Sequence, residues 1–296
     1  MFLRATWRHL RIHFSFFLMP VYFFALGISP NFGGSRLLWS FIIIHLFLYP
    51  ASNGFNRYFD NNDKSIGGLK NPPPVSKGLY YLTLVFDAVA IVMGFLKISA
   101  LFAIMVFIYG LVSKAYSHPS IRLKKFPITG WLSVGVLQGF FTFLMCYVGI
   151  NNFGIENLMN TRILIPATLS SMILLCTYPM TQIYQHEEDT NRGDRTMSLL
   201  LGVRGTFVFV LITFTLATAC YVWYFYSVYE LRYGFVFLAS LSPVVVFLFV
   251  WYFLVRKNPA RANFLNAMWF NFLSALSLNG FFIWFFLETS HIGQLF

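Results

Sequence analysis

The sequence predicts an all-α polytopic membrane protein, a bundle of about nine transmembrane helices with a cytoplasmic N-terminus, organised as a single domain over residues 1–296. Three observations carry that reading. The chain is 58% hydrophobic and only 10% charged. Apolar runs of about 18 residues or more recur along it, the length an α-helix needs to cross a bilayer. Basic residues gather in alternate loops, as they do when charge orients a membrane protein. A soluble domain has no compact core that would take 37 Phe, 16 Tyr and 7 Trp, so that class is excluded.

The runs follow in order. The first, about 14–30, has the basic front of a secretory leader, but Pro20 and bulky aromatics stand where a cleavage site needs small residues, so a retained helix is expected. The second covers about 36–54. The third and fourth, about 79–96 and 98–114, are separated only near Lys97, and merging them would move every later loop to the other side of the membrane. The remaining runs cover about 130–150, 162–183, 205–227, 233–255 and 267–288. "GVRGTF", Gly202–Phe207, reads as a turn that starts the seventh. Cys146, Cys176 and Cys220 lie inside apolar runs without metal-ligand spacing and read as core residues.

With nine spans, 17 of the 21 basic residues fall on one side, leaving Arg36, Lys97, Arg162 and Arg232 opposite. The rich side is then cytoplasmic, and a bacterial inner (cytoplasmic) membrane is the expected setting. The net charge of +11 is accounted for by these loops, and no nucleic-acid partner is expected. Six of the ten acidic residues share the same side: Asp60, Asp63, Glu187, Glu188, Asp189 and Asp194. The orientation rule does not require that asymmetry.

If the second run stays helical past Pro50, Asn53, Asn56, Asp60 and Asp63 follow i, i+3, i+7, i+10 and fall within an arc of about 80°. Gln182, Gln185 and Asp189 repeat the i, i+3, i+7 spacing after the sixth run, with His186 beside them. Either cluster alone reads equally well as a solvated or capping helix end. Two with matching amide and carboxylate spacing on one side suggest oxygen ligands for a hard divalent cation, which for Mg²⁺ means one or two carboxylates, waters and phosphate oxygens. Such an ion neutralises a diphosphate as it departs, while Lys and Arg hold the remaining charge. Arg57, Lys64, Lys70 and Arg192 are the basic candidates.

These residues resemble the UbiA-type intramembrane prenyltransferases, a family with nine transmembrane helices and two Asp-rich cytoplasmic motifs that bind Mg²⁺ and an isoprenyl diphosphate. The first motif, commonly Asn-Asp-x-x-Asp-x-x-x-Asp, is matched by Asn56, Asp60 and Asp63 and followed by a similar Pro-rich "KNPPPVSKG". The second is matched by Asp189, Gly193, Thr196 and Leu201-Gly202. "AYSHPSIRLKKFPITGW" is similar to the Tyr-Ser-x-Pro…Leu-Lys segment of the chlorophyll-synthase-like branch, which suggests Tyr116 and Lys124 as substrate-side residues. The sequence departs from the family in three places. Arg57 replaces an early Asp, Asp63 comes one residue early, and Gln185 replaces the leading Asp of the second motif, with Glu188 or Glu187 as possible compensation.

The resemblance implies that an allylic diphosphate ionises and an aromatic or other lipophilic acceptor captures the carbocation. Asp60, Asp63 and Asp189 are the implied catalytic residues; Asn56, Asp60, Asp63, Asp189 and Glu188 the implied metal ligands; Asn56, Arg57, Lys64, Lys70, Tyr116, Lys124, Gln185 and Arg192 the implied substrate contacts. The 20% aromatic content suits a dry cavity that receives a cation. Two other classes fit the same residues: an ion-coupled transporter, for which Asp87 within the third run would mark a solute path, and a homologue that keeps prenyl-lipid binding without catalysis. His186 is a candidate proton acceptor or simply a polar helix end.

Overall fold

The computed structural model describes residues 4–31, 33–60 and 64–290. Among the described residues nine helices are long and apolar enough to cross a membrane, one for each expected run: α1 (Arg4–Gly27), α2 (Gly34–Asp60), α3 (Lys77–Lys97), α4 (Ala100–Ser117), α5 (Pro127–Asn151), α6 (Thr161–Thr181), α8 (Met197–Val228), α9 (Leu231–Lys257) and α10 (Phe264–Thr289). A short α7 (His186–Arg192) stands between α6 and α8. Large apolar side chains lie exposed along α8 and α9, among them Trp223, Tyr226, Phe235, Val246 and Phe253. Such faces suit lipid, and this is an integral membrane protein.

Contacts group the chain into two compact units, one of Met1–Leu123 with Thr142–Leu164 and one of Lys124–Phe141 with Ile165–Phe296. In the first unit, the break between α3 and α4 is made by Ser99, whose extended backbone and side chain cap α4 by accepting from the Phe102 amide at 3.2 Å. Helix α1 is interrupted at Arg11, which is left-handed at φ 46°. The stretch around that break is tied to the segment after α2: Thr6 meets Ser76 at 3.2 Å, His9 meets the Pro74 carbonyl at 3.4 Å, and Arg11 donates to the Gly67 carbonyl at 2.8 Å.

Helix α2 does continue past Pro50. A proline lacks the N–H for an i to i−4 bond and its ring crowds the preceding turn; here the helix widens to π geometry over Ile43–Leu48, just upstream, and resumes α geometry over Tyr49–Asp60. Leu10, Ala51, Leu79, Leu82 and Phe86 form the core where α1, α2 and α3 meet. A Cβ on Gly54 would lie 2.6 Å from Thr83 Cγ2, so α2 and α3 approach closely only because that position is glycine. Asp87, the isolated charge of α3, pairs with Lys114 of α4, whose ammonium also lies over the Phe55 ring. The pairing accounts for its position within a span.

In the second unit, α5 is π-helical over Gly135–Phe141, which displaces backbone partners. Ser171 of α6 takes them up: its hydroxyl donates to the Gly135 carbonyl at 2.7 Å and accepts from the Phe140 amide at 2.9 Å. Gly139 allows this approach, since a Cβ there would stand 2.5 Å from the Ser171 backbone. The "GVRGTF" turn is a kink rather than a start: helix α8 begins at Met197 and breaks only at Gly202, φ 66° and ψ 170°. Beyond it, Phe225, Phe237, Phe281 and Phe285 pack edge to face or stacked between α8, α9 and α10. An apolar groove of about 780 Å³ opens along α8 and α9, lined by Phe214, Val222, Trp223 and Tyr226 among others; it contains none of the acidic-cluster residues.

Candidate functional site

The first cluster occupies the last turns of α2. Asn53, Asn56 and Asp60 lie on one helix face, as their spacing requires, and each has a contact from outside α2. Asn53 Oδ1 accepts from Arg11 at 3.2 Å. Asn56 Oδ1 accepts from the Ser117 hydroxyl of α4 at 3.0 Å. Asp60 Oδ1 lies 3.5 Å from Arg122 Nη2. One turn earlier, Ser113 donates to Ser52, so a polar seam joins α2 to α4 up to the cluster.

Other expected members of this site are more dispersed. Asp63 lies outside the described residues. Arg57 is buried in the first unit at 2% exposure. Lys64 and Lys70 are exposed, flanking a tight turn closed by reciprocal bonds between Ile66 and Leu69. Tyr116 is half-buried near the end of α4. Lys124 is buried in the second unit.

The second cluster is not a helical face. Pro179 sits in a 3₁₀ turn, Tyr178–Thr181, that ends α6, and a fresh helix begins at His186. Gln182, Gln185 and Asp189 therefore do not share one helix, and the expected i, i+3, i+7 register is broken. Gln182 instead accepts from the Ser198 amide at 3.3 Å, and the Gln185 side-chain amide donates to the Tyr184 hydroxyl at 2.7 Å. Glu188 is half-buried on α7.

Asp189 is 2% exposed and both of its oxygens are engaged: Oδ1 accepts from Arg192 at 2.7 Å, Oδ2 from Thr196 at 3.0 Å. Arg192 Nε lies 3.3 Å from Asp194 Oδ2, a charge contact to a second carboxylate that is also 2% exposed. Burial pushes the Asp189 carboxyl above its ordinary range, while the Arg192 guanidinium and the Thr196 bond pull it back. Burial also holds the His186 imidazole below its usual value; its Nε2 meets Ser198 Oγ at 2.8 Å, which in turn meets Thr206 Oγ1 at 3.0 Å beside the Gly202 kink.

The profile of the UbiA prenyltransferase family matches residues 14–276. The chain belongs to the UbiA prenyltransferase family. Comparison with curated proteins finds no significant match. Solved UbiA-family structures share the fold across the whole chain. A UbiA homologue from Archaeoglobus fulgidus bound to DMAPP and Mg²⁺ gives a TM-score of 0.68 at 15% identity, covering 97% of this chain and 99% of that one. The same homologue bound to GPP and Mg²⁺ gives 0.67 at 16% identity, covering 95% and 99%. A digeranylgeranylglyceryl phosphate synthase gives 0.60 at 17% identity, covering 97% and 98%.

For a UbiA-family member the two clusters differ in what they offer a metal. Asn56 and Asp60 present an amide and a carboxylate one helical turn apart, a hard-oxygen pair that fits a divalent ion completed by waters and phosphate. Among the described residues no three His, Cys, Asp or Glu side chains gather as a metal site. Arg11, Ser117, Arg122 and Asp194 are contacts that sequence spacing did not single out. Arg11 and Ser117 are remote in sequence from the groups they hold. Asp194 was legible only as a charge, because its contact depends on the turn after α7.

Proposed function

We propose that this protein transfers an isoprenyl group from a prenyl diphosphate to an aromatic or other lipophilic acceptor, in a Mg²⁺-dependent reaction at the cytoplasmic face of a bacterial cytoplasmic membrane. The observation that carries the proposal is the Asn56–Asp60 face at the end of α2, found within a family match that runs through both compact units. The continuous match supports treating the units as one functional domain. The loop charges support a cytoplasmic N-terminus.

In the reaction, the C–O bond to the diphosphate breaks and the bonding pair leaves with the diphosphate. The acceptor supplies an electron pair to the allylic cation and then loses a proton. Asn56 and Asp60, with Asp63 next in sequence, would hold Mg²⁺, which supplies Lewis-acid neutralisation of diphosphate charge. Arg57, Lys64, Lys70, Tyr116, Lys124 and Arg192 are the proposed substrate-side groups, and Asp189, with Gln185 and Glu188 near it in sequence, is the proposed counterpart in the second motif. The A. fulgidus structures hold DMAPP or GPP with Mg²⁺, which supports that ligand class here.

The test is the mass of products formed from geranyl, farnesyl or geranylgeranyl diphosphate by the purified protein with Mg²⁺ and a panel of aromatic and glycerolipid acceptors. A product heavier than an acceptor by the transferred prenyl chain less one hydrogen is expected. The hold of Arg192 on Asp189 favours one second reading, a binding protein without turnover; it predicts prenyl diphosphate bound and recovered unchanged.

A further inference from the structure

The second cluster carries an arginine where its motif leads one to expect a divalent ion. We propose that Arg192 is the resident cation of this cluster, standing in place of a metal, so that the protein binds one divalent ion per chain, at the first cluster. This deepens the proposed function and rests on its Mg²⁺ reading of Asn56 and Asp60.

Four features of the second unit carry the inference. Gln185 occupies the position of the motif's leading carboxylate, and its amide is turned to the Tyr184 hydroxyl at 2.7 Å. Both oxygens of Asp189 already accept, one from Arg192 and one from Thr196. A second buried carboxylate, Asp194, sits on the same guanidinium at 3.3 Å, so a single cation serves two anions. The backbone builds this arrangement. Gly193 is left-handed at φ 72°, and the Asp194 amide returns to the Asp189 carbonyl at 2.8 Å, the long bond of a Schellman closure. That closure folds Asp194 back over α7, beside Asp189.

A divalent ion on Asp189 would stand beside a guanidinium bonded to the same carboxylate at 2.7 Å, closer than the 3.5 Å contact of Arg122 with Asp60 and on a more deeply buried carboxylate, and like charges repel more strongly in that setting. The planar fork of Arg suits carboxylates and phosphates alike and, unlike a metal, does not dissociate. With two buried carboxylates on one guanidinium the cluster carries a net charge of −1, and Arg192 acts as the counter-ion that a metal would otherwise supply.

The experiment counts Mn²⁺ bound to the purified full-length protein in detergent, by the EPR signal of free Mn²⁺, with and without inorganic diphosphate. The expected result is one Mn²⁺ per chain, weakened on the order of tenfold or more by Asp60→Asn and unchanged in number by Asp189→Asn. The double variant Gln185→Asp with Arg192→Gln restores a carboxylate and removes the guanidinium, and is expected to bind two. Two Mn²⁺ in the wild-type protein, or loss of the single ion on Asp189→Asn in a protein that keeps its thermal transition, would overturn the inference while leaving the metal reading intact. No Mn²⁺ on folded wild-type protein would overturn both.

Discussion

Burial acts in opposite directions on Asp189 and His186 of α7. It pushes the Asp189 carboxyl up and makes a nearby positive charge necessary, a need that Arg192 meets. It holds His186 below its ordinary 6.5 and favours the neutral ring that bonds Ser198. For His186 the sign follows directly: the folded pKa lies below the unfolded one, so between them the unfolded chain binds more protons and stability rises with pH. His186 therefore contributes a loss of thermal stability in detergent as pH falls below 6.5 towards the folded value, with the loss complete above neither limit but below both. His186→Gln should flatten that part of the profile; an unchanged slope would remove the assignment. At this scale the shared face of Asn53, Asn56 and Asp60 was legible in their spacing, whereas the spacing that pointed to Asp189 does not form a helical face. The sequence did not display Arg11, because nothing local marks a left-handed arginine whose partners are 42 and 56 residues away.

Helix α2 was legible in type and length because its polar residues keep one register from Asn53 to Asp60. The second cluster was not, since the same spacing runs from the end of the 3₁₀ turn that holds Pro179 across the bend between α6 and α7, which periodicity alone does not resolve. Nor did the sequence reveal the π stretches of α2 and α5, whose displaced backbone groups depend on partners such as Ser171. Between elements, the buried Asp87–Lys114 pair joins α3 to α4. Removing one partner leaves the other charge uncompensated, so Asp87→Ala should cost about 3–5 kcal/mol, whereas Asp87→Leu with Lys114→Met should recover most of that loss. Thermal unfolding in detergent checks both. A double variant as unstable as the single one would show that the pair is not what couples these helices. Gly139 offers a second test at this scale. A Cβ 2.5 Å from the Ser171 backbone forces the helices apart, and Gly139→Ala should destabilise by roughly 1–3 kcal/mol in the same measurement.

At the largest scale, hydropathy revealed the nine spans found among the described residues because each helix must satisfy its backbone internally and present apolar side chains to lipid. The split into two compact units was not visible, since it passes through the middle of α5 and just after the first turn of α6, where composition does not change. Loop charge predicts which ends face the cytoplasm. In intact cells, a membrane-impermeant thiol reagent should label Asn157→Cys in the loop after α5 and spare Lys70→Cys in the loop after α2; the reverse pattern would invert the orientation. The reaction itself is tested most directly by diphosphate release from geranylgeranyl diphosphate, with purified protein and a lipophilic acceptor. The account predicts release that requires Mg²⁺, stops with chelator and falls at least about a hundredfold in Asp60→Ala. Release that persists in chelator and in Asp60→Ala would contradict it.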